Sequence, residues 1–103
     1  MRQFDVYENT SGRSNAGMPY VVVLQSHFFE GVPTVVVAPL VLDDGRSTYT
    51  GASIEVEFNG ARYVVSVPEL AAINRGDLRR VVGDLNAHED AIRRAIDRVF
   101  SGF

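Results

Sequence analysis

The stretch Ser53-Ile54-Glu55-Val56-Glu57-Phe58-Asn59-Gly60-Ala61-Arg62-Tyr63-Val64-Val65-Ser66-Val67 decides the fold. Ile54, Val56 and Phe58 alternate with Ser53, Glu55 and Glu57, which is the two-residue period of a strand with one buried face. Asn59-Gly60 then reverses the chain, because both residue types tolerate the positive φ that a type I′ turn requires. A two-residue turn sets the register of everything beside it. It places Val56 opposite Tyr63 and Ile54 opposite Val65 on the inner face, and Glu57 opposite Arg62 on the outer face. An opposite-charge pair facing across strands contributes about 0.2–1 kcal/mol.

Working outward, Phe4 and Val6 alternate with Gln3, Asp5 and Tyr7, a further strand with one buried face. Asn9 to Gly17 collects Asn, Thr, Ser and Gly and reads as an exposed loop. Tyr20 to Ser26 and Thr34 to Leu42 are valine-rich and read as strands covered on both faces. Pro39 has no N–H to give, so its strand must bend, bulge or lie at an edge there. Asp43-Asp44-Gly45 is turn chemistry. Beyond the hairpin, Pro68 to Ile73 predicts a short helical turn and Leu78 to Val82 a last short strand. Asn86, with Glu89 three residues on, reads as the N-cap of a helix. Leu85, Ile92, Ile96, Val99 and Phe100 form its apolar stripe, and Glu89–Arg93 and Asp90–Arg94 stand at i, i+4 on the other face. Gly102 is the expected C-terminal cap. The sum is five or six short strands followed by one C-terminal helix.

The 103 residues suit one domain, since domains run from about 50 to 250 residues. A core this small gains from pairing with a second copy. An apolar fraction of 46% with 22% charged residues belongs to an ordinary globular chain. There is no cysteine, which excludes disulfide scaffolds, zinc ribbons and thiol catalysis. All ten basic residues are arginines, and thirteen acids leave a net charge of −3, which argues against a nucleic-acid partner. No apolar stretch follows Arg2 as a signal peptide would need, and Val35–Leu42 is far too short to span a bilayer. The expected location is the cytoplasm, with no membrane attachment.

Catalytic patterns are sparse. Neither glycine-rich phosphate motif occurs. His88-Glu89 begins a zinc-protease signature, but Ile92 stands where the second histidine belongs. His27 lies next to Ser26, a serine–histidine proximity of the kind that arises by chance. Asp43 and Asp44 are better explained as a turn than as a carboxylate pair, and Glu55 and Glu57 face Arg62. No catalytic residue, cofactor or metal is therefore expected. Two features are left over. Phe28-Phe29 sits in a connection between strands, although burying one phenylalanine yields about 1.5–3 kcal/mol. Phe103 ends the chain through a glycine directly after a helix, which makes a projecting tip.

Gln3-Phe4-Asp5-Val6-Tyr7, Val22-Val23-Leu24-Gln25-Ser26 with two large apolar residues after it, and Ala38-Pro39-Leu40 resemble the CcdB family of toxins. Ser66-Val67-Pro68, Asp84-Leu85-Asn86 and the run from Ala95 to Phe103 continue the resemblance in the same order, so that it covers 1–103 as a single CcdB-like toxin domain. The resemblance implies a mainly β fold with a C-terminal helix, a small SH3-like antiparallel barrel shared with MazF-type toxins, paired as a homodimer. It implies a non-enzymatic toxin that binds the DNA gyrase A subunit and traps the gyrase–DNA cleavage complex. It also implies neutralisation by a CcdA-like antitoxin with a disordered C-terminal segment. The gyrase-binding positions of the family fall on Phe28, Phe29, Asp97, Phe100, Ser101, Gly102 and Phe103. The chain departs from the best-known family pattern at two of these, with Ser101 for tryptophan and Asp97 for asparagine. Losing a tryptophan anchor costs about 2–4 kcal/mol of binding. Two alternatives follow from those departures and from the shared barrel. One is a weakened or non-toxic relative that only binds an antitoxin; the other is a MazF-like endoribonuclease, for which Arg13, Arg46, Arg79 and Arg80 are the candidate cations.

Overall fold

A computed structural model describes residues 1–9, 17–26, 31–43 and 52–102. Its hairpin follows the reading above. β4 (Ser53–Phe58) and β5 (Ala61–Ser66) pair with Val56 opposite Tyr63, Ile54 opposite Val65 and Glu57 opposite Arg62. Asn59 and Gly60 both hold positive φ, 52° and 83°, as the type I′ turn demands. The ion contact is diagonal, however: Arg62 approaches Glu55 at 3.8 Å rather than the directly opposite Glu57. Long side chains on a twisted ribbon reach diagonal neighbours, and this exposed contact contributes little.

Among the described residues the remaining strands are β1 (Asp5–Glu8), β2 (Tyr20–Val23), β3 (Thr34–Leu42), β6 (Ala71–Asn74) and β7 (Val81–Asp84). The antiparallel order is β4-β5-β3-β2-β1-β7, with β6 paired to β3 off this path. Central β3 divides its side chains between two apolar clusters. Ala38 and Leu40 join Val6, Val22, Val56, Val65 and Val67 in the main core, while Val35 and Val37 join Tyr7, Val21, Val23 and Leu78 on the opposite face. Both faces of β2 and β3 are therefore covered, as their unbroken valine runs predict. β1 corrects the expectation of a single buried face, because Val6 and Tyr7 are both buried, on opposite sides of the sheet.

Pro39 sits where its missing donor costs nothing. The Leu24 N–H donates to Val36 O at 2.9 Å, so the even-numbered residues of β3 exchange hydrogen bonds with β2 and the odd ones point away. On that far side β6 pairs only as far as Val37, and β5 takes over at Leu40. The proline falls in the gap between them, which satisfies the bend-or-edge requirement without a bend.

Three local expectations are corrected. A 3₁₀ turn does follow the hairpin, at Val67–Glu69, but Ala71–Asn74 is a strand, with Ile73 opposite Val35. Its sequence shows no apolar alternation, since most of it is exposed along the margin of the sheet. The last strand begins at Val81, not Leu78. The Leu78 N–H closes a 3₁₀ turn onto Arg75 O at 3.0 Å, and its side chain is buried under the outer face, so the ladder to β1 starts only at Val81 opposite Tyr7. Asn86 does not cap the helix. It opens a further 3₁₀ turn (Asn86–His88), its N–H is taken by Asp84 Oδ1 at 3.0 Å, and α1 (Glu89–Ser101) starts after His88 without a side-chain cap.

β4 and β7, the two ends of the strand order, approach where the Phe58 ring lies over Gly83. A Cβ at Gly83 would stand 2.7 Å from Phe58 Cε1. This close approach, with α1 packing Ile92 and Ala95 into the main core, curls the sheet into a half-barrel. Phe4 marks the junction with φ 72° while only 3% exposed. Its N–H donates to Val23 O at 2.7 Å, its carbonyl accepts from the Leu85 N–H at 2.9 Å, and the Arg93 guanidinium lies 5.5 Å above its ring. These contacts hold a conformation that is costly for a bulky residue.

Candidate functional site

α1 has two halves. Ile92 is fully buried, Ala95 is 2% exposed and Ile96 packs partly against the same core. Glu89 and Arg93 pair at 2.8 Å on the outer face, one turn apart with the acid first, as the spacing predicts. The apolar stripe then outruns the sheet. Val99 and Phe100, the last residues of the stripe, are 37% and 70% exposed. A helix rises about 1.5 Å per residue, and here the last turn extends beyond the layer that would cover it.

Gly102 closes the helix in the left-handed region (φ 77°, ψ 14°), and its N–H donates to Arg98 O at 3.0 Å. That is the predicted cap, at a position where glycine carries no Cβ penalty. Asp97, Phe100 and Ser101 are all exposed and, at i, i+3 and i+4, share one face of the last turn. Among the predicted gyrase-binding residues, Asp97, Phe100, Ser101 and Gly102 are therefore together at one exposed helix end. Phe28, Phe29 and Phe103 lie outside the described residues.

One edge of Phe100 borders a shallow apolar groove of about 250 Å³, with Ile96, Leu24, Gln25, Val36 and Leu70 as its other walls. Gln25 is held in place through its Oε1, which accepts the Val36 N–H at 3.0 Å. The groove thus joins the helix end to the part of the chain leading into Phe28-Phe29. Sequence reasoning did not single out Val99, Leu24 or Leu70. The stripe contained Val99, but only the length of the sheet decides where a stripe leaves its cover.

The other chemical candidates do not assemble. Ile92, at the missing histidine position beside His88-Glu89, is fully buried, and no cluster of His, Cys, Asp and Glu among the described residues could hold a metal ion. Asp43 anchors the chain through its backbone, its N–H donating to Arg62 O at 3.1 Å, while Asp44 and His27 lie outside the described residues. Arg79 and Arg80 are exposed, and Arg13 and Arg46 lie outside the described residues. Tyr7 and Tyr63 have phenol pKa values raised above the ordinary 10, chiefly by burial and secondarily by the charge of Asp5 and of Tyr20 respectively, so neither exchanges a proton near neutrality. Among the described residues no helix is long and apolar enough to cross a membrane.

The model of the family described as CcdB protein matches residues 3–102. No curated protein matches the sequence significantly. Among solved structures, the Mycobacterium tuberculosis toxin MazF-mt6 superposes with a TM-score of 0.71 at 23% identity, covering 96% of each chain. An endoribonuclease from a mycobacterial species, solved with its cognate antitoxin, reaches 0.78 at 12% identity over 97% of this chain and 94% of its own. A further toxin, from Mtb, reaches 0.69 at 27% identity over 82% of this chain and 94% of its own. These likenesses establish a shared fold, a curled antiparallel sheet with a C-terminal helix.

Proposed function

The chain belongs to the CcdB family, and from that premise we propose that it is the toxin of a toxin–antitoxin pair, acting without catalysis by binding the DNA gyrase A subunit and trapping the enzyme on cleaved DNA. The observation that carries the reading is the uncovered last turn of α1. Phe100 stands 70% exposed beside Asp97 and Ser101, on a helix whose other half is locked into the core. An aromatic side chain held rigidly and left uncovered is the form that binding anchors take, since little entropy is lost when it is buried. Phe28, Phe29 and Phe103 are assigned to the same surface by the family resemblance.

Two partners belong to this reading. A second copy of the chain pairs with the first near the helix ends, and light scattering should give twice the 11.3 kDa monomer mass. A CcdA-like antitoxin neutralises the dimer; one structural neighbour is itself bound to its cognate antitoxin. The test combines purified protein, gyrase, ATP and supercoiled plasmid. Linear plasmid after detergent and protease treatment is the expected product, and undiminished supercoiling without cleavage at about 10 µM protein refutes the reading.

The fold shared with an endoribonuclease favours a second reading, RNA cleavage. Fold alone does not carry chemistry. A concavity of about 360 Å³ on the sheet face opposite α1 is lined by Glu69 and Asp77 and, among the described residues, by no arginine, which disfavours a phosphate backbone there. Incubation with RNA should leave it intact. Asp97 and Ser101, in place of the family's asparagine and tryptophan, set the expected potency below that of the best-known pattern. Growth arrest that disappears when 101–103 are deleted supports the toxin over a merely antitoxin-binding relative.

A further inference from the structure

Among the described residues the sheet has three marginal strands: β4 and β7 end the strand order, and β6 pairs with β3 alone. Exposed edges invite pairing with other chains, and proteins guard them with charges, prolines or bulges. β4 carries Glu55 and Glu57, and β7 carries Asp84 and a bulge against β1. β6 has none of these. Ala71-Ala72-Ile73-Asn74 is uncharged, contains no proline and keeps an unbroken register against 34–37. Its hydrogen-bonding groups can be followed one by one. The Arg75 N–H donates to Pro33 O at 3.0 Å, so the odd-numbered Ala71 and Ile73 exchange bonds with β3 and the even-numbered residues turn theirs outward. Two of the outward groups are used locally. The Leu70 N–H donates to Val67 O at 3.0 Å, and the Asn74 carbonyl opens the 3₁₀ turn Arg75–Asp77 as its N-cap. Among the described residues no hydrogen bond takes the rest, which are the Ala72 N–H and C=O, the Asn74 N–H and the Leu70 C=O.

We propose that this edge binds a second copy of the chain, β6 against β6 in antiparallel order, with the two-fold axis at Ala72. The groups left over select both the occupant and the register. About that axis each copy donates its Ala72 N–H to the partner's Ala72 O and its Asn74 N–H to the partner's Leu70 O. The one further bond of a regular ladder there, from the Leu70 N–H to the partner's Asn74 O, joins the two groups already used within each chain. An axis at Ile73 would instead aim the Ala72 N–H at the partner's engaged Asn74 O. The side chains agree with the same register. Ile73 stands opposite the partner's Ala71, large against small, on the face of the second apolar cluster, and Glu69 stands opposite the partner's Arg75 rather than a like charge. An uncharged strand meets its own copy without repulsion. Leu70, two residues and about 7 Å from the axis, is also a wall of the groove bordered by Phe100, so the same junction brings two such grooves together. A standard interface buries about 800 Å² on each partner, more than a short strand supplies, and the groove margins are the adjoining surface that extends it. This junction rests on the two-copy reading proposed above and is independent of gyrase.

The chain contains no cysteine, so single cysteines report the register. Directly opposite hydrogen-bonded residues lie about 5.5 Å apart between Cα atoms, within disulfide reach; the two Ile73 positions, displaced by two residues along the strands, lie about 8 Å apart, beyond it. A72C should therefore form a covalent dimer on mild oxidation, and I73C should not. Ala72 is exposed, so a charge there is tolerated by each copy but faces its own kind across the axis. A72D and A72R should each weaken self-association at least about tenfold, and mixing the two should give heterodimers, resolved by native mass spectrometry. The wild-type Ala72 and Asn74 amides should exchange slowly with deuterium where the pair forms, and the same amides rapidly in A72D. A wild type that stays at 11.3 kDa up to about 100 µM removes the two-copy reading and this junction together. A wild-type dimer that survives A72D, that cross-links through I73C and not A72C, or whose charge variants fail to pair on mixing leaves the two-copy reading standing and overturns the junction. Amides protected only on addition of a different polypeptide assign the edge to that polypeptide and equally overturn it. Should A72D or A72R fail to fold, cross-linking through A72C and amide exchange in the wild type decide the matter.

Discussion

Truncating Phe100 to alanine separates a binding anchor from a structural residue, because the two roles imply different magnitudes. A fully buried phenylalanine contributes about 1.5–3 kcal/mol through its removal from water. Phe100 is 70% exposed, so the fold recovers only about a third of this, roughly 0.5–1 kcal/mol. In a chain of this size about 1 kcal/mol moves the melting temperature by roughly 4–8 °C. F100A should therefore melt no more than about 8 °C below wild type. Ile92, on the same helix but fully buried, is the internal standard: I92A should lose about 2–5 kcal/mol and melt far lower. Function should invert the order. F100A should bind the gyrase A subunit at least about 30-fold more weakly, corresponding to about 2 kcal/mol, as expected of an anchor. I92A, assayed at a temperature where it remains folded, should bind within a few-fold of wild type. Calorimetry gives the first comparison and surface plasmon resonance the second. A melting temperature for F100A as low as that of I92A would make Phe100 a core residue, and the case for an exposed anchor would fail.

Other consequences of the structure are smaller but distinct. G83A forces a Cβ to 2.7 Å from Phe58 Cε1 and should cost about 1–3 kcal/mol in chemical denaturation, with much of the loss regained in G83A/F58L. G60A places a side chain at φ 83° in the hairpin turn and should cost about 1–2 kcal/mol, whereas G76A, which meets nothing within 4 Å, should be close to neutral. Tyr7 and Tyr63 have folded pKa values above the unfolded value of 10, so the folded chain retains protons that the unfolded chain releases. Their contribution is complete below pH 10 and is lost as pH rises through the raised values. Denaturation at alkaline pH should therefore begin above 10, and Y63F should lose less stability across that window than wild type.

How much of this was legible in the sequence depends on whether a residue's role was settled by its neighbours in the chain or by distant ones. The β4–β5 hairpin was legible because Asn59-Gly60 and the flanking alternation determine the same register, and no distant contact was needed. Gly102 was legible for a similar reason: a helix end and a left-handed cap are local events. β6 was not, because a short exposed strand is defined by its partner. Ala71–Asn74 carries no periodicity, and only pairing with 34–37 of β3 makes it a strand. The shift from Leu78 to Val81 has the same origin, since an apolar residue in a connection was claimed by the second cluster before the strand began.

The candidate site follows this division. Sequence periodicity shows which residues of a helix share a stripe, but the stripe from Ile92 to Phe100 looks uniform, and nothing within it marks where cover ends. That boundary belongs to the sheet, whose shielding reaches Ala95 and, in part, Ile96, but not Phe100. Leaving a phenylalanine in water forgoes about 1–2 kcal/mol of the roughly 1.5–3 that full burial would give, in a class of molecule whose whole stability is about 5–15 kcal/mol. Nor does exposure follow from a failure to order the residue. The turn containing Phe100 is regular, is capped at Gly102 and rests on one wall of an apolar groove. The cost is thus borne by an ordered element, and what distinguishes Phe100 from Ile92 is the extra turn of helix that carries it past the sheet.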